Sequence, residues 1–206
     1  MQNKKHLVGR SIGVVVAVII MGFALSWLVL VDMGTDPATA FNLAVSEKIG
    51  MSIGNWQAIW NCVMFIPVIL FGRKNIGLGT IANMFLVGDS LQFFSWLWSV
   101  LLPAGLFDSM WVRLIVLFPA LFVFIVSAAV YMDVQMGTSP YDSLAFMLAQ
   151  KFSKFPLRAV RITYDMLFVV MALLVSRKFG LVTLLMALLL GPAIEWVGKK
   201  LSRFLE

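Results

Sequence analysis

The residues Met-Gly-Thr-Asp-Pro at positions 33–37 recur as Met-Gly-Thr-Ser-Pro at positions 136–140, and this repeated motif decides how the rest of the chain is interpreted. The second copy lies 103 positions after the first. Chance matches at one constant offset are common among apolar residues but rare at Gly, Pro, Thr and charged positions. The same offset pairs Arg10 with Arg113, Lys48 with Lys151, Gly77 with Gly180, Thr80 with Thr183, and Gly88 with Gly191. The sequence therefore predicts an internal duplication, with residues 1–103 as the first half and residues 104–206 as the second.

The composition indicates that both halves lie in a lipid bilayer. Hydrophobic residues make up 61% of the 206 positions and charged residues only 13%, whereas a soluble domain carries about 25% charged residues. Apolar stretches of about 18 residues are long enough to cross a membrane. Six stretches near or above that length occur, at residues 11–31, 55–71, 77–102, 111–131, 157–175 and 180–197. We therefore predict an all-α polytopic membrane protein with six transmembrane helices, and the lipid bilayer is its first expected partner.

The number of spans in each half sets the relative orientation of the halves. Each half holds three spans, and an odd number forces the second half to sit upside down relative to the first, as in the inverted-topology repeats of many transporters. Basic residues concentrate on the cytoplasmic side of spans. With both termini cytoplasmic, the inner side holds twelve of the 16 Lys and Arg residues. The outer side then holds only Lys48, Arg113, Arg177 and Lys178. We read the net charge of +6 as a topology signal and expect no nucleic-acid partner.

The repeated motif has the turn chemistry of a helix start. Glycine permits the positive φ of a sharp turn, and proline suits the first turn of a helix. Asp36 and Ser139 stand at the N-cap positions, and Ser139 with Asp142 approximates a capping box. We therefore predict short helices at about residues 37–49 and 140–152, which at roughly 20 Å are too short to cross the bilayer. Paired interrupted helices of this kind mark a substrate site, and the alternative is two helices that lie flat on the membrane surface.

Polar side chains inside the apolar stretches supply the other candidate residues. Asp89 lies near the centre of the third stretch, where a charge costs roughly 2.5–3.5 kcal/mol, so we expect it to face a cavity or a partner. Asp89 or Asp165 then exchanges a proton or contacts a substrate, and Asp89 is the first choice for proton exchange. Arg161 and Asp165 lie four residues apart, which fits either a polar pathway or an intrahelical ion pair with Arg161 reaching toward the inner surface. The candidate substrate-binding or pathway residues are Asp36, Pro37, Asn61, Asn83, Asp89, Ser139, Pro140, Asp142, Arg161 and Asp165.

Catalytic and metal-binding patterns are not found in the sequence. It contains no Gly-x-Ser-x-Gly element and no phosphate-binding glycine loop. The single cysteine, Cys62, lies in an apolar stretch, and the single histidine, His6, lies near the N-terminus. We therefore expect no enzymatic activity, no metal site and no cofactor.

Several of these motifs resemble those of one family of bacterial membrane proteins, the YczE/YyaS/YitT family. The resemblance is carried by Gly-Thr-x-Pro at 34–37, Gly-Thr-x-Pro-x-Asp at 137–142, Gly-Leu-Gly-Thr at 77–80 with Asn83 and Gly88, Val-Arg at 160–161 with Asp165, Gly-Leu-Val-Thr at 180–183 and Gly-Pro at 191–192. Thr39 and Val182 depart from the family pattern, which weakens a picture of two symmetric sites. The chain ends at Glu206 without the soluble C-terminal domain of YitT-type members, so we expect it closer to the YczE branch. The resemblance implies a location in the bacterial cytoplasmic membrane. The function that it implies is transport, without a particular solute.

These observations favour a permease for a small molecule or an ion, with the solute bound between two inverted halves that rock to alternate access. A passive channel is one alternative, because six spans with two short helices are also found in aquaporins. There, however, the short helices follow the second and fifth spans and begin with Asn-Pro-Ala. A membrane subunit of a multi-component importer is the other alternative. A homodimer is compatible with a chain of this size, but no sequence feature decides it.

Overall fold

The computed structural model describes residues 2–176 and 180–205, with side chains described for residues 7–176 and 180–201. The chain is all-helical over these residues, apart from turns and connections. Its eight α-helices are α1 (Gln2–Val31), α2 (Pro37–Ile49), α3 (Ile53–Phe71), α4 (Leu78–Leu101), α5 (Met110–Asp133), α6 (Pro140–Lys151), α7 (Leu157–Val175) and α8 (Leu181–Leu205). Short 3₁₀ turns at Arg73–Asn75 and Leu106–Asp108 lie in two of the connections.

The helix limits follow the apolar stretches closely, except at the two ends of the chain. Helices α3, α4, α5 and α7 begin and end within two residues of the predicted limits. In contrast, α1 begins at Gln2 rather than at residue 11, and α8 continues to Leu205 rather than to residue 197. A hydropathy pattern marks only the part of a helix that is suited to lipid. Backbone hydrogen bonding continues past that point through Lys- and Arg-containing sequence of good helix propensity.

Five of the described helices are long and apolar enough to cross a membrane, namely Leu7–Val31, Ile53–Phe71, Leu78–Leu101, Met110–Asp133 and Leu181–Leu201. The sixth predicted span, α7, is not among them. It has 19 residues, but Arg158, Arg161 and Asp165 interrupt its apolar sequence. Arg177 and Lys178, which the sequence places on the outer side, lie outside the described residues. The division into halves at residues 103 and 104 stays a prediction.

The two copies of the motif adopt matching backbone conformations. Asp32 and Gln135, which are 103 positions apart, are the non-glycine residues with positive φ in the described chain, and both have a φ of 52°. Gly34 and Gly137, also equivalent, have φ values of 115° and 98°. Each left-handed turn ends a long helix and is followed by a proline at the first turn of a short one. The turns therefore form as the sequence predicts.

The helices form two apolar cores, and their packing brings helices of residues 1–103 against helices of residues 104–206. α1 contacts α4 and α5, and α5 contacts α8, which together form the larger apolar core. A smaller core around Phe41, Met64, Tyr164 and Phe168 forms where α2 packs on α7 and α3 packs on α6. A shift of 103 positions relates α1 to α5, α2 to α6, α3 to α7 and α4 to α8. The α2–α7 contact therefore corresponds to the α6–α3 contact, and the α1–α4 contact corresponds to the α5–α8 contact. Each short helix therefore rests on a helix of the other half.

The motif of each half is held by the start of the last long helix of the other half. Val182 N donates to Met33 O at 3.1 Å, and Gly79 N donates to Met136 O at 2.7 Å. These two bonds are equivalents under the offset of 103. Thr183 Oγ1 also accepts from Thr35 N at 3.2 Å.

Glycine is required at these two contacts because the backbones approach closely. A Cβ atom added to Gly180 would lie 2.1 Å from Met33 O, and one added to Gly77 would lie 2.2 Å from Met136 O. No side chain fits at either position unless the backbones move apart.

Candidate functional site

A cavity of about 90 Å³, lined by residues from all eight helices, lies inside the helix bundle. Its volume corresponds to roughly three water molecules at the packing of liquid water. Side chains from both halves line it, and their polar members are almost all buried. Eight of the predicted site residues are among them, namely Asp36, Pro37, Asn61, Asn83, Ser139, Asp142, Arg161 and Asp165.

The other two predicted residues lie elsewhere. Pro140 is fully buried under the first turn of α6 and does not line the cavity. Asp89 is exposed on α4, beside Gly54 at the start of α3, so the expectation that it faces a central cavity is not met. Asn83 does line the cavity, and six residues along a helix turn the chain by about 240°, which puts Asp89 on a different face.

The two N-caps bring the starts of α2 and α6 to the cavity. Asp36 Oδ1 accepts a hydrogen bond from Thr39 N at 3.1 Å. Ser139 Oγ accepts from Asp142 N at 3.0 Å and donates to Asp142 Oδ2 at 2.7 Å. These bonds satisfy amide groups of the first turn in each helix. The capping chemistry inferred from the sequence is therefore present in both copies.

Arg161 is the centre of a charged cluster at one side of the cavity. Its Nη2 atom lies 2.6 Å from Asp142 Oδ1, and its Nε atom donates to Asp165 Oδ2 at 3.4 Å. Its guanidinium carbon lies 5.5 Å from the centre of the Tyr141 ring, and the Tyr141 hydroxyl donates to Asp165 Oδ1. The intrahelical pair anticipated in the sequence exists, but the shorter contact joins α7 to α6, which spacing along one helix does not reveal.

Several lining residues were not among the predicted site residues. Asn42 on α2, Gln57 and Trp60 on α3, and Tyr141 on α6 all line the cavity. Gln57 lies four residues before Asn61, so it was recognisable as a polar position on the same helix face. Asn42, Trp60 and Tyr141 carry no comparable signal, because an amide or aromatic residue in an apolar helix is common.

Four buried polar atoms at the cavity have no hydrogen-bond partner in the described part of the chain. They are Asp36 Oδ2, Asn42 Oδ1, Gln57 Oε1 and Trp60 Nε1. Leaving a buried polar group unpaired costs about 1–3 kcal/mol. In contrast, Asn61 Nδ2 donates to Met84 O at 3.0 Å and ties α3 to α4. These atoms are therefore polar groups at the cavity that the described part of the protein leaves unpaired.

The charges around the cavity do not balance when all the carboxyl groups are ionised. Among the described residues that line the cavity, Asp36, Asp142 and Asp165 face one cation, Arg161. Asp36 lies in the connection between α1 and α2, and burial raises the pKa of its carboxyl, an effect that hydrogen bonds to Thr39 only partly offset. Within residues 2–176 and 180–205, no group of three or more His, Cys, Asp or Glu side chains could hold a metal ion.

A second cavity, of about 490 Å³, lies between α5, α7 and α8. Its lining is largely apolar, with the charged residues Asp133, Arg158 and Lys199 among its members. Arg161 and Asp165 line both cavities. The charged cluster therefore lies where the two cavities approach each other.

Comparison with known proteins identifies relatives without an assigned function. A family model described as "Family of unknown function (DUF6198)" matches residues 8–199. The chain is 27% identical over 181 residues to "Uncharacterized protein YyaS" of Bacillus subtilis (strain 168), covering 87% of this chain and 88% of that protein. It is 28% identical over 150 residues to "Uncharacterized membrane protein YczE" of the same organism, covering 72% of this chain and 66% of that protein. No solved structure matches.

These relatives confirm the resemblance inferred from the motifs. The matched residues include both copies of the repeated motif and every residue assigned to the central cavity. The chain is a multi-pass helical membrane protein and belongs to the family of unknown function DUF6198.

Proposed function

We propose that this protein is a small-solute transporter of the bacterial cytoplasmic membrane, which binds its solute in the central cavity between two inverted repeats. One observation carries the proposal: the starts of α2 and α6, one from each half, line the same cavity, together with other buried polar side chains. The N–H groups and the positive dipole end of a helix start stabilise negative charge, and each start here carries an acidic side chain, Asp36 or Asp142, at the cavity. Paired interrupted helices at the interface of two repeats form the substrate sites of many secondary transporters.

The proposal includes α7 as a sixth span. At 19 residues, α7 is about 28 Å long, close to the thickness of the apolar core of a bilayer. Its two central charges are compensated, because Arg161 pairs with Asp142 and Asp165. A paired and buried charge is tolerated at membrane depth when it faces the protein interior. Three spans per half then invert the second half, and both termini lie in the cytoplasm.

The two cavities support a mechanism of alternating access. In the proposed orientation, the second cavity lies on the cytoplasmic side, beside Arg158 and Lys199. The cluster of Arg161 and Asp165 separates it from the central cavity. Movement of one half against the other would open the central site to each side of the membrane in turn.

Cysteine accessibility tests this proposal directly. Ala38 on α2 and Ala128 on α5 are small cavity residues from different halves, and each is replaced by cysteine in a Cys62→Ala background. Val63→Cys is the matched control, because Val63 is 50% exposed on the outside of α3. We expect membrane-impermeant thiol reagents to reach both cavity cysteines, and conditions that increase labelling from one side to decrease it from the other.

The same experiment separates the alternatives. Simultaneous access from both sides, together with flux that does not saturate, would indicate a channel. Labelling that requires a co-purifying ATPase would indicate a subunit of an importer. Cavity cysteines that react from neither side under any condition, like a residue in a sealed core, would refute a transport site.

A further inference from the structure

Asp36 is the least satisfied charged group in the central cavity. Its side chain lines the cavity with a residue exposure of 8%, and its Oδ2 atom has no hydrogen-bond partner among the described residues. The Oδ1 atom is already used by the N-cap bond to Thr39. The cap bond and the N-terminal end of α2 offset only part of the cost of burying this carboxylate, so a proton or a cation beside it would stabilise it further.

The second half of the chain shows what such a cation does. Asp142, the carboxylate at the start of α6, is paired with Arg161 at 2.6 Å. At the offset of 103, the residue equivalent to Arg161 is Ala58. The only basic residue of α2 and α3 is Lys48, in the last turn of α2 and far from Asp36 at its start. The equivalent of Asp142 is Thr39, so the first half carries its carboxylate at the N-cap, Asp36, and has no basic side chain at the position equivalent to Arg161.

The groups around Asp36 also favour a cation that carries N–H groups. Asn42 Oδ1 and Gln57 Oε1 are unpaired acceptors at the same cavity, and the Trp60 side chain also lines it. Amide oxygens accept hydrogen bonds from N–H groups of a ligand, and an indole face attracts a cation. A volume of about 90 Å³ is larger than one dehydrated metal ion and suits a cation of only a few heavy atoms.

From this geometry we infer that the central cavity binds a small organic cation of the primary ammonium or guanidinium class, with Asp36 Oδ2 as its anchor. The inference rests on the proposed function and names the substrate class of that site. It also predicts exchange, because a proton and the cation compete for the same carboxylate and cannot both neutralise it. Cation entry in one direction is then linked to proton movement in the other.

Competition with protons depends on every charged group that faces Asp36. Asp142 from α6 and Asp165 from α7 add negative charge, and Arg161 from α7 partly compensates them. Tyr131 on α5 and Tyr141 on α6 are the other titratable residues that line the cavity. The lining residues from α1 and α8 are apolar, namely Met21, Leu25, Leu190 and Ile194.

Calorimetric binding to the purified full-length protein in detergent tests the inference with guanidinium and methylammonium chloride. Urea is the matched control ligand, because it has the size and planar shape of guanidinium without the charge. We expect at least one cation to bind, urea and acetate not to bind, and the affinity for the cation to fall as the pH is lowered. Asp36→Asn should weaken binding by about 10- to 100-fold, the loss of one charge-assisted hydrogen bond, and should abolish its pH dependence. Asparagine is also a good N-cap, so the start of α2 is preserved.

Asp108→Asn controls for the loss of one negative charge, because Asp108 is exposed in a connection away from the cavity. Equal binding of urea and guanidinium, equal affinity of Asp36→Asn and the parent protein, or binding of sodium alone would each overturn the inference. So would the failure of both cations to bind. In any of these cases, alternating labelling of the cavity cysteines would leave the transporter proposal standing, so the two failures can be told apart.

Discussion

The substitution Gly180→Ala tests whether the exchange of contacts between the halves holds the fold together. The added Cβ would lie 2.1 Å from Met33 O, whereas favourable contacts require about 3.5 Å, so the two backbones must separate by more than ~1 Å. That shift strains the neighbouring packing by about 1–3 kcal/mol. It also weakens the bond from Val182 N to Met33 O, which contributes about 0.5–1.5 kcal/mol. We therefore expect a loss of about 2–4 kcal/mol in the free energy of unfolding.

Two further variants make this measurement decisive. Gly77→Ala should cost about the same as Gly180→Ala, because its Cβ meets Met136 O in the equivalent contact. Gly191→Ala is the control, since no atom lies within 4 Å of its Cβ position, and alanine in a helix gains up to about 1 kcal/mol over glycine. The assay is unfolding of the purified protein in mixed micelles, followed by circular dichroism as the denaturing detergent is increased. Equal stability of Gly180→Ala and Gly191→Ala would show that Met33 and Gly180 are not in contact.

Three other predictions concern the charged residues and the outer surface. Arg161→Met should lower the free energy of unfolding by about 3–5 kcal/mol, because it leaves buried carboxylates uncompensated. Adding Asp142→Asn to the same chain should restore part of the lost stability. Additive losses in a double-mutant cycle would contradict the pairing. Asp89→Asn should leave the pH dependence of solute exchange in proteoliposomes unchanged, while Asp36→Asn removes it; the reverse result would return Asp89 to the pathway. Cys62, exposed on α3, should react with a lipid-soluble maleimide but only slowly with a charged one, and rapid labelling by both would place this face of α3 in water.

The sequence was sufficient for features that depend on neighbouring residues. The turn at Gly34, the N-cap at Asp36 and the start of α2 at Pro37 all follow from local steric and hydrogen-bonding rules. The constant offset of 103 added a check, because a second copy with the same chemistry should fold in the same way. It does so at Gly137 and Ser139.

Features that depend on helix rotation and on partners distant in the chain could not be predicted. Asp89 is polar at membrane depth, but which side of α4 it occupies is fixed by packing of that helix on α1 and α3. Arg161 has one partner at a spacing of four residues and a closer one, Asp142, on another helix. Hydropathy does not identify α7 as a span for a similar reason, because it counts the three charged residues of this helix and carries no information about their partners.

The exchange of contacts predicts that neither residues 1–103 nor residues 104–206 fold as an independent unit. The backbone of Met33 finds its partner at Val182, and that of Met136 finds its partner at Gly79. A cut in the connection at residues 102–109 would sever no such contact. Residues 1–103 and 104–206, expressed together as separate polypeptides, should therefore assemble into a stable two-chain protein, whereas either fragment alone should be degraded or should pair with a second copy of itself.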